Sequence, residues 1–198
     1  MTQGQQFTSQ PPVFRTRHGA FVRMHQANPN DAVLIYTLLS QASERALQLR
    51  YMRSGQFHTE MLWLEAQRMA QTASPEQTTL LATTWHNGFE EFIAVAEMVR
   101  DTRLGGGAEI AFLVRDDMQQ QGVATRLCRR LIDIARGQGI SHLDAAMFAE
   151  NFGMRRLITS LGLPYTSSTS YGETTMRIAL LDHAKEASVA SAAYKLAA

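Results

Sequence analysis

The sequence predicts an α+β fold, with helices flanking one mixed, mostly antiparallel sheet that carries a parallel strand-loop-helix-strand crossover at its centre. Three stretches predict it. Thr78 to His86 and Phe92 to Arg100 are rich in β-branched and apolar residues and flank Asn87-Gly88, a hairpin signature. Ala108 to Phe148 reads strand, loop, helix, strand, a unit whose two strands lie side by side and parallel. Glu173 to Leu181 alternates Thr175, Arg177 and Ala179 against Met176, Ile178 and Leu180, the period of a half-buried strand.

The other elements follow in order. Residues 1–12 are Gln-rich, end in Pro11-Pro12, and read as a flexible leader. Val13 to Arg17 and Ala20 to Gln26 are short strands around His18-Gly19. Asn28-Pro29-Asn30-Asp31 starts a helix over Ala32 to Gln41, with Leu34, Ile35, Leu38 and Leu39 on one side. Ser43 and Glu44 open a second helix through Met52, and His58 to Thr72 forms a third, ended by Thr72-Ala73-Ser74-Pro75. Leu104-Gly105-Gly106-Gly107 leads into the strand from Glu109 to Val114. The amphipathic helix after it spans residues 121–136, with Val123, Leu127, Leu131, Ile134 and Ala135 along one stripe, and Gly137 and Gly139 close it. A buried strand, Ser141 to Phe148, precedes a helix from Asn151 to Leu161 that Gly162 and Pro164 end. Residues 13–181 are expected to form a single domain, followed by an Ala/Ser/Lys-rich tail over 182–198.

Composition narrows the functional classes. A hydrophobic share of 45%, a charged share of 19% and a net charge of +1 describe an ordinary globular chain with no global pull toward nucleic acid or an anionic membrane. No apolar run approaches the roughly 20 residues that span a bilayer, and the polar N-terminus does not read as a signal peptide. The single cysteine, Cys128, allows no internal disulfide, suits a reducing cytoplasm, and falls in a helix where packing is its expected role. The six histidines show no ligand spacing, so no metal site is expected.

Ala108 to Arg130 is the stretch that points to chemistry. The first amides of a helix lack internal partners and sit at the positive end of its dipole, which suits them to a phosphate. Gly122 lets backbone approach such a group without a β-carbon in the way. The spacing is neither the nucleotide-triphosphate loop nor the dinucleotide fingerprint.

Gln119-Gln120-Gln121-Gly122-Val123-Ala124 resembles the acyl-CoA motif of the GNAT superfamily of N-acetyltransferases, Arg/Gln-x-x-Gly-x-Gly/Ala at a strand-to-helix junction. The element order resembles that fold over residues 20–181, and Asn151 to Leu161-Gly162 is similar to its second conserved helix. More narrowly, the chain is similar to the GNAT domain of Pat-type bacterial protein lysine acetyltransferases. Asn30-Asp31, Ser43 with Arg50-Tyr51, Ala108-Glu109-Ile110-Ala111-Phe112 and Asn151 with Met154 carry that likeness.

The resemblance implies an acetyl-CoA-dependent N-acetyltransferase. Amides from Gln120 through Gly122, Val123 and Ala124 to Thr125 would cradle the CoA pyrophosphate, with Gln119 and Gln121 lending side-chain donors. The backbone of Phe112, Leu113 and Val114 would pair with the pantetheine arm, the Leu113 amide would face the thioester carbonyl, and Asn151 would contact the pantetheine side. Glu109 would be the general base. In many relatives a tyrosine of the second conserved helix protonates the leaving thiolate; that position here holds Ile158, leaving solvent, Tyr165 or Tyr171 to replace it. His86 is a weaker auxiliary-base candidate, and some of Arg126, Arg129, Arg130 and Arg136 would reach the 3′-phosphate.

The expected partners are acetyl-CoA and an amine acceptor, a protein lysine before a small amine, with neither nucleic acid nor membrane, and with a homodimer left open. Two alternatives stand beside the leading one: a small-molecule amine acetyltransferase and a catalytically weak acyl-CoA-sensing module.

Overall fold

The computed structural model describes residues 13–71, 76–100 and 105–180. The expected leader, the tail, the breaker at 72–75 and residues 101–104, which include the first residue of the expected Leu104–Gly107 turn, lie outside them. One eight-stranded sheet organises the rest. Strands β1 (Val13–Arg15), β2 (Phe21–Gln26), β3 (Gln77–His86), β4 (Phe89–Arg100), β5 (Ala108–Val114), β6 (His142–Phe148), β7 (Tyr165–Ser170) and β8 (Glu173–Ala179) stand in the order β1-β2-β3-β4-β5-β6-β8-β7. Every pairing is antiparallel except β5 with β6.

The helices cover the two faces. On one, α1 (Ala32–Gln41), α2 (Glu44–Tyr51) and α3 (Thr59–Ala70) bury Ile35, Leu38, Leu39, Leu47, Leu62 and Met69 against Leu81, Val95 and Leu113. On the other, α4 (Val123–Gly137) and α5 (Phe152–Thr159) bury Leu127, Leu131, Leu157 and Ile158 against Val22, Ile93, Ile110, Leu143, Met176 and Ile178. The split follows from the pleat, which sends alternate residues of a strand to opposite faces. No helix among the described residues is long and apolar enough to cross a membrane.

Three local differences from the sequence reading have simple causes. Helix α4 begins at Val123 rather than at residue 121, because Gly122 holds φ +90° and Gln120 φ +58°, values a right-handed helix excludes. Leu34 is more than a third exposed: Ile35, Leu38 and Leu39 already make the i, i+3, i+4 stripe, and Leu34 lies at its margin. The third difference is β7, a strand that is not among the elements expected from sequence. All six of its residues are exposed, so Tyr-Thr-Ser-Ser-Thr-Ser carries no alternation to read. Only pairing to β8 makes it a strand.

Candidate active site

The parallel seam between β5 and β6 is short. Register pairs join only Ala108 to Leu143 and Glu109 to Asp144, although each strand is seven residues long. Beyond Glu109 the two strands part. The β6-facing edge of β5 from Ile110 to Val114 is left without strand partners, while its other edge stays paired to β4 through Val114. The sheet is thus open over the three residues, Phe112, Leu113 and Val114, expected to pair with an extended arm. Leu113 itself is buried, and Phe112 and Val114 pack beneath the α4 face, so it is backbone that this edge presents. The Arg115 N–H donates to the Ile93 carbonyl (2.8 Å), so by strand alternation the Leu113 amide turns to β4, against expectation, and the Phe112 and Val114 amides face the open edge.

At the end of β5 the chain makes a 3-10 turn, Asp116–Met118, and then the loop into α4. Arg115 locks the turn through Nε and Nη2 to the two oxygens of Asp117 (2.7 and 2.9 Å) and through Nη1 to Glu91 (2.9 Å). These bonds hold the Asp117 carboxyl below its usual range. The side-chain amides of Gln119 and Gln121, expected to face a phosphate, are engaged within the loop. Gln119 Nε2 donates to the Val114 carbonyl (3.2 Å) and to Asp116 (3.1 Å), and Gln121 Nε2 donates to the Asp117 carbonyl (2.7 Å). Both glutamines therefore build the loop, which leaves ligand contact to its backbone.

That backbone suits an anion. Gly122 is the N-cap residue of α4 and supplies no capping side chain, so the first-turn amides of Val123, Ala124 and Thr125 stay uncapped. A β-carbon built on Gly122 would meet nothing within 4 Å, so open space lies beside it. An open strand edge running into an uncapped helix start fits a ligand made of a pantetheine arm and a pyrophosphate.

Helix α2 bridges the opening. Ser43, its N-cap, donates from its backbone N–H and its hydroxyl to Asp116 (3.1 Å each). Two residues on, Arg45 pairs with Glu150 (3.1 Å) in the loop after β6. Asn151 follows and caps α5, its Oδ1 accepting from the Met154 amide (3.0 Å). The α2 start is thus tied to both sides of the gap.

Glu109 is exposed on the sheet face that carries α1 to α3, where the seam ends. Its row continues across the sheet as Asp144, Arg177 and Thr166. Asp144 is buried, and Arg177 closes on it with Nε and Nη2 at 2.8 and 2.7 Å. The same face holds a second buried carboxylate, Glu97, opposite Ala111. It accepts from Arg68 Nη1 and Nη2 (2.9 and 3.1 Å), from Gln77 Nε2 (3.2 Å) and from Arg50. The Arg50 seen in the sequence thus serves a buried ion cluster. Tyr51 beside it is pushed up to about 12, above all by burial.

The remaining candidates separate. Ile158 is buried in the α4-side core, so no hydroxyl stands at the usual tyrosine position. Tyr171 sits in the β7–β8 turn, where Gly172 accepts from the Ala149 amide (2.8 Å), placing the turn next to Glu150 and Asn151. Tyr165 is at the opposite end of β7, across from Ile178. His86 does not belong to the site: its hairpin partner Phe89 and the Glu109 partner Val99 are separated along β4 by roughly 33 Å, at about 3.3 Å per residue. The sequence predicts no contact at the site for Asp144, Arg177 or Asp116; a lone carboxylate inside the apolar run of β6 is the signal for the first.

The sequence matches the acetyltransferase (GNAT) family over residues 37–163. It is 36% identical over 70 residues to the acetyltransferase Pat of Mycolicibacterium smegmatis, a stretch covering 35% of this chain and 21% of that protein. The fold matches the GNAT domain of S. lividans PAT with a TM-score of 0.74 at 23% identity, over 89% of this chain and 100% of that one. It also matches a Salmonella typhimurium protein solved with acetyl-CoA, with a TM-score of 0.59 at 21% identity, over 82% of this chain and 96% of that one. The chain belongs to the GNAT family of acetyltransferases.

Proposed function

We propose that the protein transfers an acetyl group from acetyl-CoA to a primary amine, with a protein lysine as the favoured acceptor and Glu109 as general base. The observation that carries this reading is the two-pair seam of β5 and β6, which opens beside Glu109 and runs into the uncapped start of α4. The likeness of part of the chain to Pat favours the protein acceptor.

The chain's own groups suffice for the chemistry. Acyl transfer from a thioester needs the donor held, the amine neutral and the developing oxyanion stabilised. Backbone from Phe112 to Val114 holds the arm, amides from Gln120 to Thr125 hold the pyrophosphate, and the Asn151 carboxamide lies on the other side of the gap. A lysine pKa near 10.4 leaves about one amine in several thousand neutral at pH 7. Glu109 takes the ammonium proton, directly or through water. The amine nitrogen then bonds to the acyl carbon, a Phe112 or Val114 amide of the open edge donates to the carbonyl oxygen, the nitrogen gives its second proton to water, and the C–S bond breaks. With Ile158 buried where a tyrosine would stand, the thiolate takes its proton from solvent or from Tyr171 at the rim.

The test is an acceptor screen with thiol-release detection, offering lysine-containing proteins beside polyamines, amino acids and aminoglycosides. Turnover on lysine proteins above that on small amines supports the reading. Tight acetyl-CoA binding with no acceptor acetylated would instead identify a sensing module.

A further inference from the structure

The β1–β2 turn reaches across to the loop ahead of α4 and holds it by two carbonyl groups. The Arg17 backbone N–H donates to the Gln121 carbonyl (3.3 Å), and Arg17 Nη1 donates to the Gln120 carbonyl (3.2 Å). The described backbone has no cis peptide bonds. In a trans peptide unit the C=O and N–H point in opposite directions. The Gln120 carbonyl shares its plane with the Gln121 amide, and the Gln121 carbonyl shares its plane with the Gly122 amide. Drawing both carbonyls toward Arg17 turns both amides away from it. A phosphate loop needs this polarity, donors toward the anion and acceptor oxygens withdrawn.

The turn is built to hold Arg17 in place. Thr16 and Ala20 close it with two bonds, Thr16 N–H to the Ala20 carbonyl (2.9 Å) and Ala20 N–H to Thr16 Oγ1 (3.1 Å). The Gly19 N–H donates to the Thr16 carbonyl (3.0 Å), with Gly19 at φ +90°. Phe14, just before the turn, packs on the α4-side core, and the Arg126 guanidinium lies 5.7 Å from its ring centroid. Arg17 lies outside residues 37–163, the part matched to the family, so this support comes from a segment that the family match does not include.

We propose that Arg17 is a positioning residue for the phosphates of the acyl donor, orienting the Gln121 and Gly122 amides by taking the carbonyls on the far side of those peptide units. This rests on the acetyl-CoA reading given above. The phosphates, and not the thioester arm, feel its loss.

The experiment compares wild type, Arg17→Ala and Arg17→Lys on acetyl-CoA and on S-acetylpantetheine, which carries the same thioester arm and no phosphate. Calorimetry gives acetyl-CoA affinity, and thiol release with one acceptor gives kcat/KM on both donors. For Arg17→Ala, the loss of one hydrogen bond to the loop predicts about a five- to tenfold drop in acetyl-CoA affinity and kcat/KM. S-acetylpantetheine turnover stays unchanged, and Arg17→Lys, which keeps one donor, recovers part of the loss. An equal drop on both donors in both variants, or no drop on acetyl-CoA, overturns the positioning role while leaving the donor assignment intact. Wild-type protein that fails to bind acetyl-CoA overturns both.

Discussion

Glu109 and Asp144 stand side by side on one face of the sheet, in one of the two register pairs that join β5 to β6. Their fates differ. Asp144 is buried and held at both oxygens by Arg177, whereas Glu109 is exposed at the point where the strands part. The arginine fork occupies both oxygens of Asp144, which leaves the exposed Glu109 beside it as the proposed base.

Replacing Glu109 with Gln separates binding from chemistry. The change keeps shape and removes the proton acceptor, so acetyl-CoA affinity should stay within about twofold while kcat falls about 100-fold or more, the usual scale for a general base. Calorimetry and thiol release measure the two quantities. A variant that turns over like wild type would move the base elsewhere.

Gly122→Ala tests the loop. At φ +90° an alanine is strained by about 1–2 kcal/mol, although its methyl group meets no protein atom within 4 Å. The methyl occupies the open space assigned to the pyrophosphate. Acetyl-CoA affinity should therefore fall by more than the stability loss, read by chemical denaturation, accounts for.

Glu97→Ala should damage the fold rather than the reaction step. Glu97 is buried and shared by Arg50, Arg68 and Gln77, so its removal leaves Arg50 unpaired in the interior. Breaking a buried ion pair from one side costs about 3–5 kcal/mol. For a domain of this size that lowers Tm by on the order of 10 °C, a shift that differential scanning calorimetry resolves.

Cys128 makes stability fall in alkali. Burial pushes its thiol from 9.0 up to about 12, so between those values the unfolded chain is a thiolate and the native chain a thiol. The contribution is whole below pH 9 and is lost as pH rises toward about 12, by up to about 1.4 kcal/mol per pH unit. Tyr51, raised from 10.0 to about 12, steepens the fall above pH 10. Urea midpoints measured from pH 8 to 10.5 should flatten in Cys128→Ala.

The sequence was most readable where burial was periodic. The β3–β4 hairpin, the crossover through α4 and the alternation of β8 all announce themselves, because each puts an apolar face on a core. The glycine loop stands at the strand-to-helix junction where its spacing puts it, and Glu109 stands at the start of β5. Hydrogen-bond partners were not. Nothing local in Gln119 and Gln121 says that their amides turn back into the loop, and Arg17 meets Gln120 across a sequence gap of 103 residues. Strand β7 was invisible for another reason: a strand exposed on both faces has no pattern, and its existence depends wholly on β8.

With acetyl-CoA as the proposed donor, the unfinished seam between β5 and β6 also makes the fold answerable to metabolite concentration. A donor that completes the free edge of β5 binds the native sheet and has nothing to complete in the unfolded chain. By mass action, a donor present at a hundred times its Kd adds about 2.7 kcal/mol to stability. On the proposed function the melting temperature of this protein becomes a gauge of acetyl-CoA supply, rising where the cosubstrate is plentiful and sinking where it is scarce.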